Sequence, residues 1–204
     1  MQVQKLPQAL QDLVQQLAKL PGVGPKSALR MALTLLQWPE DKVRTMGRSI
    51  QGLRDALTLC SECGAISDAD PCMLCSDPGR RQDILCLVAD WDALLAIEEA
   101  GFFQGRYLIL GGLLSPLDGV QPSQLDVQRL KRKLATGQVQ ELVLALGSTR
   151  DAEATESYIS DLVHREFPAV EITRLAQGIP VGSDLRYVDQ ETLKQSLQHR
   201  QRLC

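Results

Sequence analysis

The stretch Cys60-Ser61-Glu62-Cys63-Gly64-Ala65-Ile66-Ser67-Asp68-Ala69-Asp70-Pro71-Cys72-Met73-Leu74-Cys75 separates two different sequence grammars. Its two CxxC pairs, eight residues apart, put four thiolates where one tetrahedral ion can gather them, each sulfur about 2.3 Å from the metal. From residue 60 to 81 cysteine, glycine, proline and aspartate replace any apolar periodicity, and so small and polar a segment buries no core of its own. A metal supplies what burial does not, and its binding free energy is in effect folding free energy. Zinc is the expected ion, one per chain. Four sulfur ligands leave no position for water, so the site reads as structural. The competing readings are a redox dithiol and an iron–sulfur centre. The redox reading asks for one CxxC at a strand-to-helix junction, whereas both pairs here fall in one loop. Of the remaining cysteines, Cys86 lies in an apolar run as a small core residue and Cys204 is terminal and incidental.

On the amino-terminal side of this stretch the pattern is helical. Leu6, Leu10, Leu13, Val14, Leu17 and Leu20 recur in steps of three and four, which paints one stripe along a helix. A second helix starts at Pro25, whose ring presets φ at a position where no hydrogen bond is lost, and carries Ala28, Leu29, Ala32, Leu33 and Leu36. Trp38-Pro39 stops it, and Val43, Met46, Ile50, Leu53 and Leu57 mark a third helix. Between the first two runs stands Leu20-Pro21-Gly22-Val23-Gly24-Pro25-Lys26. Gly22 and Gly24 permit a tight turn with bare backbone N–H groups, and the following helix adds its positive dipole end, so a phosphate fits there. Lys26 and Arg30, four apart, add charge on one side that does not depend on base identity. The plainer alternative is an αα-hairpin whose glycines only make the turn.

Beyond residue 81 short apolar runs at 84–88, 107–110, 142–146 and 170–175 alternate with helical stretches at 91–100, 123–135 and 152–167. Strands alternating with helices imply a parallel sheet, and near-continuous apolar strands imply cover on both faces. A polar helix at 190–202 follows Pro180-Val181-Gly182; with few apolar residues it is either solvated or docked on another subunit. Gly111-Gly112 follows the second strand without a GxGxxG or GxxxxGK[ST] pattern and reads as a strand-end turn.

The overall charge of −3 conceals a polarity: eight Lys/Arg against four Asp/Glu up to Leu59, then fourteen against twenty-one from Cys60. The basic end suits DNA and the acidic end a basic protein partner. No apolar run reaches the roughly 18 residues of a membrane span, and Met1-Gln2-Val3-Gln4-Lys5 is not followed by a signal-type apolar stretch. The expected location is cytoplasmic, at the nucleoid, with no membrane contact.

The turn at residues 20–26 resembles the helix-hairpin-helix, a sequence-independent DNA-backbone binder, and residues 20–36 are similar in wording to the start of the RecR family of bacterial recombination mediators. The next blocks agree in order and spacing: the four-cysteine motif, the 84–97 run, Gly111-Gly112-Leu113-Leu114-Ser115-Pro116-Leu117-Asp118-Gly119, residues 145–155, and Gly178-Ile179-Pro180-Val181-Gly182. The resemblance implies a multi-part α + α/β fold: a helix-hairpin-helix DNA-binding region at 1–59, a four-cysteine zinc finger at 60–81, a Toprim-type α/β domain with a parallel sheet at 82–178, and a C-terminal arm at 179–204 exchanged between subunits. It implies DNA contacts at Gly22, Gly24, Lys26 and Arg30, and zinc ligation by Cys60, Cys63, Cys72 and Cys75. It further implies a ring-like homo-oligomer around single-stranded/double-stranded junctions or gaps. Acting with RecO and RecF, such a ring helps load RecA by binding and assembly, not as an enzyme.

Departures from the pattern bear on mechanism. Toprim enzymes cluster carboxylates around magnesium, with a glutamate at the end of the first strand; here that position is Ala89, and Asp90 and Asp92 are the nearby substitutes. After the third strand, Gly147-Ser148-Thr149-Arg150-Asp151-Ala152-Glu153 keeps Asp151 and Glu153 as a weak acidic or partner site. Their plainer reading is helix N-terminal acids favouring the dipole. His164 and His199 lack a neighbouring nucleophile. The alternative functions are a magnesium-dependent Toprim nuclease or nucleotidyl-transfer enzyme and a small-molecule α/β enzyme with an accessory zinc loop.

Overall fold

A computed structural model describes residues 6–200. The chain divides into two compact units, one running up to Ala56 and the other from Leu57 on. Cys204 and the end of the last sequence-assigned helix, 201–202, lie outside the described residues, as does the Met1–Lys5 start.

In the first unit α1 (Gln8–Leu17), α2 (Pro25–Gln37) and α3 (Glu40–Gly52) follow the three apolar stripes. Pro25 stands in the first turn of α2, as its preset φ favours. The core is small: Val14, Ala28 and Ala32 are buried, with Leu10, Leu17 and Val23 packed around them. Alanines at the contact let α1 and α2 approach closely. Helix α3 buries none of its residues, and it ends at Gly52, short of Leu57, where the carbonyl of Gly52 takes turn bonds from Asp55 and Ala56.

The second unit opens with a two-stranded antiparallel ladder, β1 (Thr58–Leu59) and β2 (Ile66–Ser67), and the one-turn helix α4 (Met73–Ser76). Next come β3 (Ile84–Val88), α5 (Trp91–Ala100), β4 (Arg106–Ile109), α6 (Val127–Ala135), β5 (Glu141–Ala145), α7 (Arg150–Glu166), β6 (Glu171–Arg174) and α8 (Gln190–Gln198). The four longer strands form one sheet in the order β4-β3-β5-β6, all pairs parallel. The fold is therefore the expected combination of a helical N-terminus, a four-cysteine cluster and a parallel α/β sheet.

Alternation along the strands sorts the two faces. Leu85 and Leu87 face the larger core with Leu108, Leu142 and Leu144, covered by Leu130 of α6 and Ile159 of α7. Cys86 and Val88 face the other way, beside Tyr107 and Ile109, and that face is covered by Leu94 of α5 together with all four cysteines of the 60–75 stretch. The four-cysteine knuckle thus forms part of the cover of the sheet.

Candidate metal centre and nucleic-acid interface

Cys60, Cys63, Cys72 and Cys75 are buried, and their sulfurs all lie within 4.8 Å of one another. The Cys63 and Cys72 sulfurs are 3.6 Å apart, close to the ~3.8 Å edge of a tetrahedron whose vertices are 2.3 Å from its centre. The Cys72 amide donates to the Cys60 sulfur at 3.3 Å. Burial raises the Cys60 thiol, but amide donors, Cys72 first, outweigh it and bring it down to about 7. Burial and the neighbouring Cys63 push Cys72 up to about 11, and hydrogen bonding to Cys75 together with burial drives Cys63 higher still. Thiols raised as those of Cys63 and Cys72 are do not ionise readily on their own; a divalent cation held by the four cysteines would favour the thiolate form. The donor set and spacing fit zinc, with no position left for a reacting water. Cys86 stands apart, a core thiol that burial pushes up to about 12.

Local chemistry holds the knuckle in shape. Gly64, at φ +79°, takes a left-handed turn directly after the ligand Cys63, which a side chain resists. A Cβ there would also run into the Arg129 guanidinium. The Ile109 amide donates to the Cys63 carbonyl at 2.8 Å, so the knuckle bonds directly to β4. Arg106 donates to the Cys75 carbonyl at 3.0 Å, and Lys133 pairs with Glu62, holding that carboxyl below its ordinary value. Arg80 anchors the following segment, with Glu98 at 2.6 Å and the Gly105 carbonyl at 3.0 Å. Residue spacing points to none of these partners; the glycine after the second cysteine is the only local signal.

The turn between α1 and α2 is built as its residues suggest. Gly22 adopts φ +74°, the Val23 amide bonds the Leu20 carbonyl at 3.1 Å, and Gly24 caps α2, its carbonyl accepting from Ala28 at 2.9 Å. The amides of Lys26 and Ser27 in the first turn of α2 have no intrahelical carbonyl to meet. Lys26 and Arg30 are exposed, and among the described residues neither has a carboxylate partner. Helix α6 differs: Arg129, Lys131 and Lys133 are paired with acids, so most of its basic run serves internal contacts, with Arg132 exposed and unpaired among the described residues.

At the carboxyl ends of β5 and β6 a cleft of about 540 Å³ is lined by Ser148, Glu153, Glu156, Arg174, Gln177 and Glu191, among others. Ala89 is buried in the larger core. Asp90 caps α5, accepting from the Ala93 amide at 2.9 Å, while Asp92 is exposed in the first turn. Asp151 and Glu153 are not gathered as a pair: two residues apart on a helix, they project about 200° apart. Glu153 shares the cleft with Glu156, missed from sequence, while Asp151 is outside its lining. Arg174 approaches Glu156 at 3.8 Å. His164 lies near Ser157 and Ser160 in a neighbouring hollow and His199 beside Gln177 and Gln195; neither has a catalytic partner among the described residues.

Burial lifts the Glu156 carboxyl above its ordinary value of 4.5, opposed by Arg174 and reinforced by Glu153. The folded state thus holds this proton more tightly than the unfolded chain. Stability is highest with the group protonated and falls as pH rises from about the ordinary value through the raised one. Glu156→Gln should flatten the decline in melting temperature between acid and neutral pH; an unchanged profile would mean that the carboxylate is better solvated than its surroundings indicate.

Family comparison assigns residues 3–54 to the RecR helix-hairpin-helix, 57–77 to the RecR four-cysteine zinc finger domain, 83–176 to the Toprim domain and 178–201 to the RecR C-terminal region. The chain belongs to the RecR family. It is 56% identical over 201 residues to the Recombination protein RecR of Maridesulfovibrio salexigens, covering 98% of this chain and 100% of the relative. It is 54% identical over 201 residues, with the same coverage, to that of Nitratidesulfovibrio vulgaris, and 41% over 192 residues, 94% of this chain and 96% of the relative, to that of Tropheryma whipplei. With the family comes the assignment of the four-cysteine cluster as a site for one zinc ion. No helix among the described residues is long and apolar enough to cross a membrane.

Proposed function

We propose that this chain is a DNA-binding protein of recombinational repair that works by binding and assembly and breaks no covalent bonds. The observation that carries the reading is the exposed, acid-free pair Lys26 and Arg30 beside the Gly22–Gly24 turn, in a unit with twice as many basic as acidic residues. Its ligand is the sugar-phosphate backbone at single-stranded/double-stranded junctions or gaps. One hairpin grips weakly, because phosphate contacts are modest and salt-screened. Several copies in a ring-like homo-oligomer supply the avidity. A groove of about 500 Å³ lined by Leu13, Leu36, Met46 and Ile50 offers apolar surface for such assembly. By family, the partners are RecO and RecF, the acidic unit suiting a basic one such as RecO, and the outcome is loading of RecA at the gap. Such a protein works in the cytoplasm, at the nucleoid.

The double variant Lys26→Ala/Arg30→Ala, in the zinc-loaded full chain, tests this by fluorescence anisotropy on gapped duplex and homopolymer strands across a salt series. Affinity should fall on every sequence alike, and the slope of log K against log salt should become shallower by about 1.4 to 1.8 for each engaged copy. Unchanged affinity and slope would reject the turn as the contact.

The magnesium-dependent alternative rests on Glu153 and Glu156 sharing a cleft at the carboxyl end of the sheet, where α/β ligands commonly bind. Arg174 among those acids and Ala89 just after β3 weigh against it. Magnesium-dependent cleavage of gapped or supercoiled DNA that disappears with Glu153→Gln would overturn the binding-only reading.

A further inference from the structure

A zinc ion held by four cysteines carries a net charge of about −2, four thiolates against one divalent ion. Here the four cysteines are between 0% and 8% exposed and pack against Val88, Tyr107 and Ile109. Burying that charge in an apolar layer is costly unless donors and cations compensate it. Three cationic side chains from the α/β layer reach the knuckle. Lys133 commits its charge to Glu62. Arg129 lies over Gly64 but pairs with Asp126 at 2.9 Å. Arg106, at the start of β4, donates Nη1 to the carbonyl of the ligand residue Cys75 at 3.0 Å and, among the described residues, has no carboxylate within 4.0 Å. Its Nε is buried without a partner among them.

We propose that Arg106 is a positioning residue of the zinc centre: its guanidinium, supplied by the sheet, offsets the negative charge of the four thiolates and so sets how tightly the metal is held. The charge is the active element, and the hydrogen bond to Cys75 keeps it in place. Outer-sphere partners of this kind typically alter metal affinity by about 10–100-fold. Arg129, half-cancelled by Asp126, contributes less. Arg132, exposed on α6 and unpaired among the described residues, lies outside this set.

The test uses the full-length chain carrying one zinc, with Arg106→Gln, Arg106→Lys and, as control, Arg132→Gln. In competition with a chelator of known affinity, Arg106→Gln should hold zinc about 10–100-fold more weakly, Arg106→Lys should recover most of the loss, and Arg132→Gln should match the parent. In the cobalt-substituted proteins, the thiolate-to-cobalt charge-transfer bands should move in Arg106→Gln and stay near the parent position in Arg106→Lys. A Gln variant with parental affinity and bands would overturn the proposal. So would a Lys variant that falls as far as Gln, since that would make the guanidinium's shape decisive, or an Arg132→Gln loss of equal size, which would indicate an unspecific effect of net charge.

Discussion

Stripping zinc from the full-length chain with a strong chelator is expected to abolish the cooperative fold of the α/β unit. The cysteines share one buried cluster with Val88, Tyr107, Ile109 and Ala145, and the Cys63 carbonyl takes the Ile109 amide. If the knuckle opens, one face of the sheet loses much of its cover and β4 loses a backbone partner. Structural zinc contributes on the order of 10 kcal/mol or more, comparable with the roughly 5–15 kcal/mol that a whole domain commands. Amide exchange should show β3, β4 and α5 losing protection when zinc is removed, while α1 and α2, in the other unit, keep theirs. Retained protection across 84–109 in the metal-free chain would refute the coupling.

Leu87→Ala is expected to be among the most damaging single changes in the larger core, at about 3–5 kcal/mol. Leu87 is 0% exposed, lies in β3 between β4 and β5, and stands level with Leu108 on one side and Leu144 on the other. Both neighbours belong to paired strands and cannot relax far into the void, so the cavity term adds to the lost transfer energy. Urea unfolding should show a lower midpoint with an unchanged slope. Leu117→Ala, at a position 99% exposed, should stay within about 0.5 kcal/mol of the parent. A Leu87→Ala midpoint matching that control would mean that the sheet repacks freely.

Much of this architecture is legible in the residues because local and tertiary signals agree. Strand β3 and helix α5 coincide with their apolar runs, and Asp90 between them supplies the cap. The helix expected at 123–135 begins only at Val127, since Pro122–Gln124 forms a separate 3-10 turn and Asp126 takes the cap. Residue spacing announces the zinc ligands, because a metal imposes its own geometry on the pattern. It does not announce what the outside of the knuckle touches: Arg106 and Lys133 reach it from 31 and 71 residues away in the chain. The acidic site escapes a linear reading for a related reason. Adjacency in the sequence pairs Asp151 with Glu153, whereas helical geometry sets Glu153 with Glu156, one turn on.

The packing of four sulfurs onto the sheet also governs how the molecule can be cut. A fragment spanning only 83–176, the stretch matched as Toprim, would strip the four-cysteine part of the cover from Val88, Tyr107 and Ile109 and leave that face to α5 alone. Such a piece should self-associate or precipitate on expression, whereas one starting at residue 57 should remain dispersed. For this chain the smallest autonomous α/β body includes its metal, and a boundary drawn between the two recognised motifs would run through the middle of a hydrophobic layer.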